Sequence, residues 1–529
     1  MPASSLIIGL DGADLHLVQA MGKEQLPHLH ALMERGASAH LQSVLPPATL
    51  PNWCTFLTGL NPGKHGVFDF TTRKNYRVAF SGGTLREAPT VFKRLDALGK
   101  RCACLFFPAT WPPEELEHGY FISGWDAPVA FEADDSYIWP PKLRDTINRK
   151  FGKINFDTVD EFHTEAKDWH AQLPAALCTR IEKKTELVSF LLDQKLWDAF
   201  AVYFGESDTA SHHLWNFYDA NSPRRPSALS PQMTTGLVKV YAALDKAVGV
   251  LIEHAGKEKV EVTVLSDHGF GGSSDKVLYL NRVLEAHGLL RFKRKGLSHY
   301  VARLCKEAGL RFLPPFVREK VFALAGRSLP SIIESQVRFS TIDMKGTKVF
   351  SDELNYFPAL HLNLKERETH GTVRPDEVAA LRQRIETALL GLKDPWTSKP
   401  VIKAVYARED LFEGEFLDRA PDYLLQLHYD EGYSYNLMPS SAAPHEGAWR
   451  KLKAHEYLGQ KGRSLAGSHR ETGLFLAAGP KVEKQGLIEC DMATATANAL
   501  CRMDNRGMLD SLKPPNLALK EHFSRQLAR

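Results

Sequence analysis

Short, mostly apolar runs recur along the chain, each followed by polar turn chemistry. Between them lie longer segments whose apolar positions return every three or four residues. Runs of the first kind suit strands covered on both faces of a sheet, and segments of the second kind suit the helices that cover them. The runs are residues 6–10, 102–107, 200–204, 260–265 and 474–478. Between the first two, Pro27 stands near a first helical turn, Leu29, Leu32 and Met33 follow at helical spacing, and Gly36 supplies a stop. The pattern predicts an α/β fold built on a doubly wound, mostly parallel sheet. Residues 286–410 break the rhythm. There the segment TKVFSDELNYFPALHLNL reads as antiparallel strands or a hairpin, and residues 375–392 read as a helix. The expected organisation is a core of residues 1–285 and 411–529 with an inserted cap over 286–410.

Composition narrows the class without changing the fold. Hydrophobic residues make up 43% and charged residues 24% of 529 positions, which is ordinary globular usage and enough for a large core. The formal net charge of +3 lacks the basic excess of a dedicated nucleic-acid binder, so no nucleic-acid partner is expected. Seven cysteines without CxxC spacing suggest neither a disulfide framework nor a thiolate zinc site. The amino terminus has no basic region, and its apolar run is too short for a signal peptide or a membrane span. A cytoplasmic protein without a transmembrane segment is the expectation.

In doubly wound sheets the turns beyond the carboxyl ends of the strands converge on one crevice. Asp11 follows the first run, Ser207 and Asp208 come just after Phe204, and Asp267 and His268 come just after Leu265. Any one of these is a common turn residue. Together with His212 and His469 they form a carboxylate and imidazole set without cysteine, which suits two hydrolytic Zn²⁺ or Mn²⁺ ions. Asp208 and His212 are four residues apart and share a helix face. Asp267 and His268 are adjacent, so both reach an ion only where the chain has left the strand, a turn that Gly269 eases.

The segment PPATLPNWCTFLTGLNPGKHGVFDF carries the nucleophile candidate. Pro51 in the first turn of a short helix ending by Gly59 places Thr49 at the helix amino terminus, whose N–H groups and dipole favour an anion. A plain N-cap role for Thr49 is the alternative.

The stretches GLDGAD, TLPN with TGLNPGKHGV, SDTASHH, SDHGFG and GSHR, in this order over residues 5–500, resemble the alkaline phosphatase superfamily, specifically its type I phosphodiesterase/nucleotide pyrophosphatase branch. The resemblance implies an alkaline phosphatase-like core with one ion on Asp208, His212 and His469 and a second on Asp11, Asp267 and His268. It also implies Thr49 as the nucleophile bridging the two ions and Asn52 as a donor to phosphate oxygen. His213, beside His212, is assigned to packing or to support of a ligand.

Cys54 is followed by Thr-Phe-Leu-Thr and not by a formylglycine context, which argues against a sulfatase. A threonine nucleophile and a differently placed cap disfavour a cofactor-independent phosphoglycerate mutase. Leu50 occupies a position that is usually aromatic in nucleotide pyrophosphatases, so nucleotide specificity does not follow. The implied function is a two-metal phosphohydrolase that cleaves a phosphodiester or pyrophosphate linkage through a phosphothreonine. A phosphomonoesterase, a phosphomutase or a phosphotransferase is the alternative, and a non-catalytic metal-stabilised binding protein is the alternative from another class. The expected partner is a phosphorylated small-molecule or lipid-linked substrate. Residues 291–327, with ten Lys/Arg against Glu307 and Glu319 and interleaved apolar residues, are the candidate for contact with an anionic surface.

Overall fold

The opening strand Ala3–Leu10 lies at the centre of a nine-stranded sheet, flanked by Trp197–Phe204 and Glu261–Leu265, with both pairings parallel. The computed structural model describes residues 3–124, 135–152, 154, 168–194, 196–227, 229–256, 259–293, 338–353, 358–443, 447–459 and 464–500. On one side of the centre the order continues through Cys102–Leu105 and Tyr120–Ile122, both parallel, to the short edge strand Ile138–Trp139. On the other side it continues through Thr472–Ala478, Ala37–Gln42 and Gly486–Asp491. The central strands are buried over most of their length, with Ser4, Asp198 and Glu261 at their starts reaching solvent, as expected of sheets covered on both faces.

One helical layer holds Thr49–Thr58, Val91–Ala97 and Met492–Leu500. Ser5 Oγ donates to Ala499 O at 3.2 Å, and a Cβ added to Gly9 would lie 2.7 Å from the Trp53 ring, so the chain comes unusually close here. The other layer is formed by Trp169–Asp193, Glu206–Tyr218 and Gly236–Ala255, which pack on one another. The helix expected after Pro27 is present as Pro27–Arg35. All five apolar runs supply strands. The last, Thr472–Ala478, pairs antiparallel with both neighbours, because the chain re-enters the sheet from the cap at the carboxyl ends of the parallel strands and not through a crossover helix.

The cap contains a four-stranded antiparallel sheet in the order Val349–Ser351, Ala359–Leu362, Tyr423–Leu427, Ile402–Ala407, with helix Val378–Leu390 against its edge. The hairpin and the helix expected from the sequence are both there. Residue 410 falls between two strands that pair antiparallel, so the small sheet extends past it to Leu427. The second apolar core already begins at Leu278 and Leu280, before residue 286. The long strand Gly269–Leu278 joins the layers. It leaves the large sheet at the carboxyl ends of the parallel strands and pairs with Gly467–Arg470, Ser434–Leu437 and Trp449–Lys451. Of the basic stretch 291–327, Arg291 and Lys293 are described, and residues 294–327 lie outside the described residues. Among the described residues no helix is long and apolar enough to cross a membrane.

Candidate active site

The sheet topology delivers the six metal-ligand candidates to one place. Asp11 directly follows the central strand, and its N–H bonds Phe204 O of the neighbouring strand at 2.9 Å. Asp208 sits in the first turn of helix Glu206–Tyr218, with His212 one turn later on the same face. Asp267 and His268 occupy the turn between Glu261–Leu265 and Gly269–Leu278, and His469 lies opposite Phe270 in the antiparallel pairing of Gly467–Arg470.

Asp208 Oδ1 is 3.4 Å from His212 Nε2 and 3.3 Å from His469 Nε2, and the two nitrogens are 3.1 Å apart. His268 Nε2 is 3.5 Å from Asp11 Oδ1 and 3.3 Å from Asp267 Oδ2. Ligand atoms of Asp208, His268 and His469 also lie within 4.8 Å of one another, so His268 stands where the two sets meet. Among the buried polar atoms without a hydrogen-bond partner are Asp11 Oδ1, Asp208 Oδ1, Asp267 Oδ2 and His268 Nε2, all of which converge here.

Hydrogen bonding assigns the histidine tautomers. His212 Nδ1 faces Gly467 O at 3.0 Å, His469 Nδ1 faces Pro47 O at 2.7 Å, and His268 Nδ1 faces Gly269 O at 3.0 Å. A carbonyl oxygen only accepts, so each Nδ1 carries the proton and each Nε2 keeps a lone pair. Burial lowers the His212 pKa to about 4 and, with the His469 ring beside it, holds His268 well below its usual value, so both rings are neutral near pH 7. The Nε2 lone pairs of His212 and His469, facing each other at 3.1 Å, repel unless a cation or a shared proton lies between them. The three imidazoles and three carboxylates thus have the donor chemistry of a divalent-metal centre.

The carboxylates respond to the same burial. Asp11 is held well above the ordinary carboxylate range by desolvation and then by the charge of Asp208. Asp267 is raised by desolvation and by Asp11. Burial also pushes on Asp208, but His212, His469 and His268 outweigh it and hold the group below its usual value. Cations here would remove the mutual repulsion that raises Asp11 and Asp267.

A second tier of contacts aims the ligands. Asp11 Oδ2 accepts from Tyr203 Oη at 2.7 Å and Trp53 Nε1 at 3.0 Å, which turns Oδ1 toward His268. Asp267 Oδ1 accepts from Gly12 N at 3.1 Å, leaving Oδ2 for the site. Gly12 has φ +62, and a Cβ there would lie 2.9 Å from the Phe270 ring and 3.2 Å from the His268 ring, so glycine is required at this turn. Ser207 Oγ and Ser43 Oγ donate to the backbone oxygens of Asp11 and Asp267. Of these supporting groups, sequence reasoning placed only Ser207 at the crevice, and without a role. Tyr203→Phe, which deletes one hydroxyl, is expected to weaken the ion at Asp11 by roughly 10–100-fold while the fold persists. Metal titration followed by calorimetry checks this, and an unchanged affinity would mean that Trp53 alone orients Asp11.

The helix expected after Thr49 spans Thr49–Thr58 and ends at Gly59, which adopts φ +70. Ala48 occupies the N-cap position and no side chain caps the helix, so the capping alternative for Thr49 does not hold. Thr49 is buried. Its helix touches both ligand sets, since His469 Nδ1 donates to Pro47 O two residues earlier and Trp53 holds Asp11 one turn later.

Asn52 requires a correction. Its Oδ1 accepts from Val44 N at 2.7 Å, and its Nδ2 faces the carbonyls of Val44, Pro46 and Ala48 at 3.3, 3.1 and 2.9 Å. The fully buried amide therefore shapes the loop leading to Thr49, and the expected role as a donor to phosphate is not available to it. Leu50 is buried against Cys54, Val67 and Ala109 and offers no stacking surface. His213 packs on Trp169 with ring centroids 4.8 Å apart, away from the ligand cluster.

Residues 5–458 match the type I phosphodiesterase / nucleotide pyrophosphatase family. The chain belongs to that family. One family relative, rat (Rattus norvegicus) ectonucleotide pyrophosphatase/phosphodiesterase family member 3, is 22% identical over 282 residues, which cover 52% of this chain and 26% of that protein. The chain thus spans about a quarter of that relative's length. Phosphonoacetate hydrolase from Sinorhizobium meliloti 1021, solved with phosphonoformate, is similar to this phosphodiesterase-family chain at 15% identity. The alignment covers 95% of this chain and 96% of that one, with a TM-score of 0.54. Murine ectonucleotide pyrophosphatase / phosphodiesterase 5 aligns over 95% and 94% of the two chains at 14% identity, with a TM-score of 0.48. At such identities the structural likeness concerns the fold, and that fold is the mixed α/β sheet described above.

Proposed function

We propose that the chain is a two-metal phosphoric ester hydrolase that cleaves a phosphodiester or pyrophosphate linkage through a covalent phosphothreonine at Thr49. The observation that carries the proposal is the set of three histidines, each with Nδ1 bound to a backbone carbonyl and Nε2 turned toward buried carboxylates, beside the amino terminus of the Thr49 helix. Asp208, His212 and His469 would hold one ion and Asp11, Asp267 and His268 the other, with Zn²⁺ or Mn²⁺ fitting the donors. Ions so held would lower the pKa of the attacking hydroxyl and neutralise charge on the phosphoryl oxygens and the leaving group.

Thr49 Oγ1 attacks phosphorus and the bond to the leaving oxygen breaks. Water then attacks the phosphothreonine, releasing phosphate or a phosphomonoester and restoring the hydroxyl. The Thr49 and Leu50 N–H groups lie at a helix start, where backbone donors lack intrahelical acceptors and the dipole favours the phosphoryl anion.

A diester or pyrophosphate fits better than a monoester. A monoester dianion carries about two charges and commonly meets an added cationic side chain. The Thr49 motif reaches its first cation only at Lys64, which is 45% exposed and paired with Glu413 at 2.8 Å, and the Asn52 amide is spent on backbone. Activity of the zinc- and manganese-loaded protein should therefore show higher kcat/KM on a nitrophenyl diester than on the matched monoester. A tenfold or greater preference for the monoester would replace the phosphodiesterase reading with a phosphomonoesterase or mutase. The same assay run with a nucleoside triphosphate tests the pyrophosphate linkage. The leaving group is proposed to belong to a phosphorylated small molecule or lipid-linked ester, since buried Leu50 gives a nucleobase no platform.

A further inference from the structure

Arg224 is fully buried, yet among the described residues the acceptors hydrogen-bonded to its guanidinium are backbone carbonyls and one hydroxyl. Nε donates to Tyr457 O at 3.1 Å. Nη1 donates to Leu465 O at 2.6 Å and Ser464 Oγ at 3.0 Å, and Nη2 donates to Tyr457 O at 2.8 Å, Ser464 O at 3.2 Å and Glu456 O at 3.4 Å. Burying a charge with no carboxylate hydrogen-bonded to it is costly, a cost that the charges of Asp275 and Glu456 offset only in part, and a hydrocarbon side chain here would strand four or more acceptors instead. The arrangement persists because the forked donor ties two separate stretches of chain, 456–457 and 464–465, to one point.

That point is fixed to the helix bearing Asp208 and His212. Asn216 Nδ2 donates to Arg224 O at 3.3 Å, and Arg225 Nη1 donates to Phe217 O and Asp219 O at the end of the same helix. The clamped stretch leads directly into the strand bearing His469. Ser464 is held at φ +101, unusual for a residue other than glycine, with its oxygens bound by Arg224 and its hydroxyl donating to Asn436 Oδ1 at 2.6 Å. Two residues after Leu465, Gly467 presses on the helix so closely that a Cβ would fall 2.2 Å from Ser211 O, and Gly467 O receives the His212 Nδ1 proton.

We propose that Arg224 is a positioning residue for the Asp208, His212 and His469 ligand set, holding the His469 strand at the height where its Nε2 meets that of His212. The proposal rests on the two-metal reading given above. Asp11, Asp267 and His268 are placed by strand ends and by Tyr203, Trp53 and Gly12, none of which bonds the Arg224 network among the described residues.

The test titrates metal-free wild type, Arg224→Lys and Arg224→Met with Zn²⁺ and with Co²⁺, reading heat of binding and the cobalt absorption bands. Wild type is expected to take two equivalents. Arg224→Met should weaken one equivalent by roughly 10–100-fold and leave the other unchanged. Arg224→Lys, which keeps the charge but not the fork, should recover part of the loss. Histidine ring signals in metal-free Arg224→Lys should move most for His212 and His469, and less for His268, whose ring stacks on that of His469 with centroids 3.6 Å apart. Equal weakening of both equivalents, or affinities and ring signals identical to wild type, would overturn the role of Arg224. A wild type that binds fewer than two ions would overturn the two-metal reading, and this inference with it.

Discussion

Thr49→Ala is expected to lower turnover by roughly three orders of magnitude or more while both ions and the fold remain, because it deletes the only atom of the residue that can bond phosphorus. Thr49→Ser restores a hydroxyl on the same backbone and should retain measurable activity. A capping role would make a different prediction, a stability loss of about 1 kcal/mol with activity nearly intact. Ala48 already occupies the cap position, so the alanine variant should melt close to wild type. Rapid-quench trapping of phosphoprotein in wild type and the serine variant, and its absence in the alanine variant, is the direct check. An alanine variant within tenfold of wild-type kcat would remove Thr49 from the chemistry.

Much of this site was legible because its ligands sit at ends of regular elements. Asp11 and Asp267 follow apolar runs whose strand character the sequence declares, and Asp208 and His212 declare a helix by their spacing. His469 is different. Its strand, Gly467–Arg470, is short and carries no apolar pattern, so only its motif marked it. Apart from Ser207 at its strand end, the supporting groups left no local signal. Tyr203 looks like one more residue of a buried strand until the fold brings its hydroxyl to Asp11 across 192 positions. Asn52 shows the reverse error. An amide beside a nucleophile invites a ligand-binding role, but the backbone of residues 44–48 lies closer and uses each of its polar atoms.

The edges of the cap are hard to read from sequence for a related reason. Composition shifts near 286 and 410 mark where the helix and strand rhythm changes, whereas the second core depends on long-range strand pairing. Leu278 and Leu280 belong to it from one side and Leu425 and Tyr435 from the other. Strand Gly269–Leu278 serves both layers, and a residue-by-residue pattern cannot divide a strand between two cores.

Alanine substitution within each ligand set should separate the two ions, because a three-donor site that loses one donor binds its ion far more weakly. In Asp208→Ala or His469→Ala the cluster with His212 loses a ligand, and the ion expected there should fall to well below one equivalent. In Asp11→Ala or Asp267→Ala the other ion should be lost. The cost should exceed that of Tyr203→Phe, since a ligand is removed and not merely its orienting partner. His268 is the informative exception. Ligand atoms of Asp208, His268 and His469 lie within 4.8 Å of one another, as do those of Asp11, Asp267 and His268, so His268→Ala should weaken both ions. Chelation of wild type should abolish turnover, and either Zn²⁺ or Mn²⁺ should restore it. Metal content measured by mass spectrometry on all five variants decides the assignment. Two equivalents retained in every variant would mean that the ions bind elsewhere. Loss of both in every variant would mean one coupled centre in place of two separable sites.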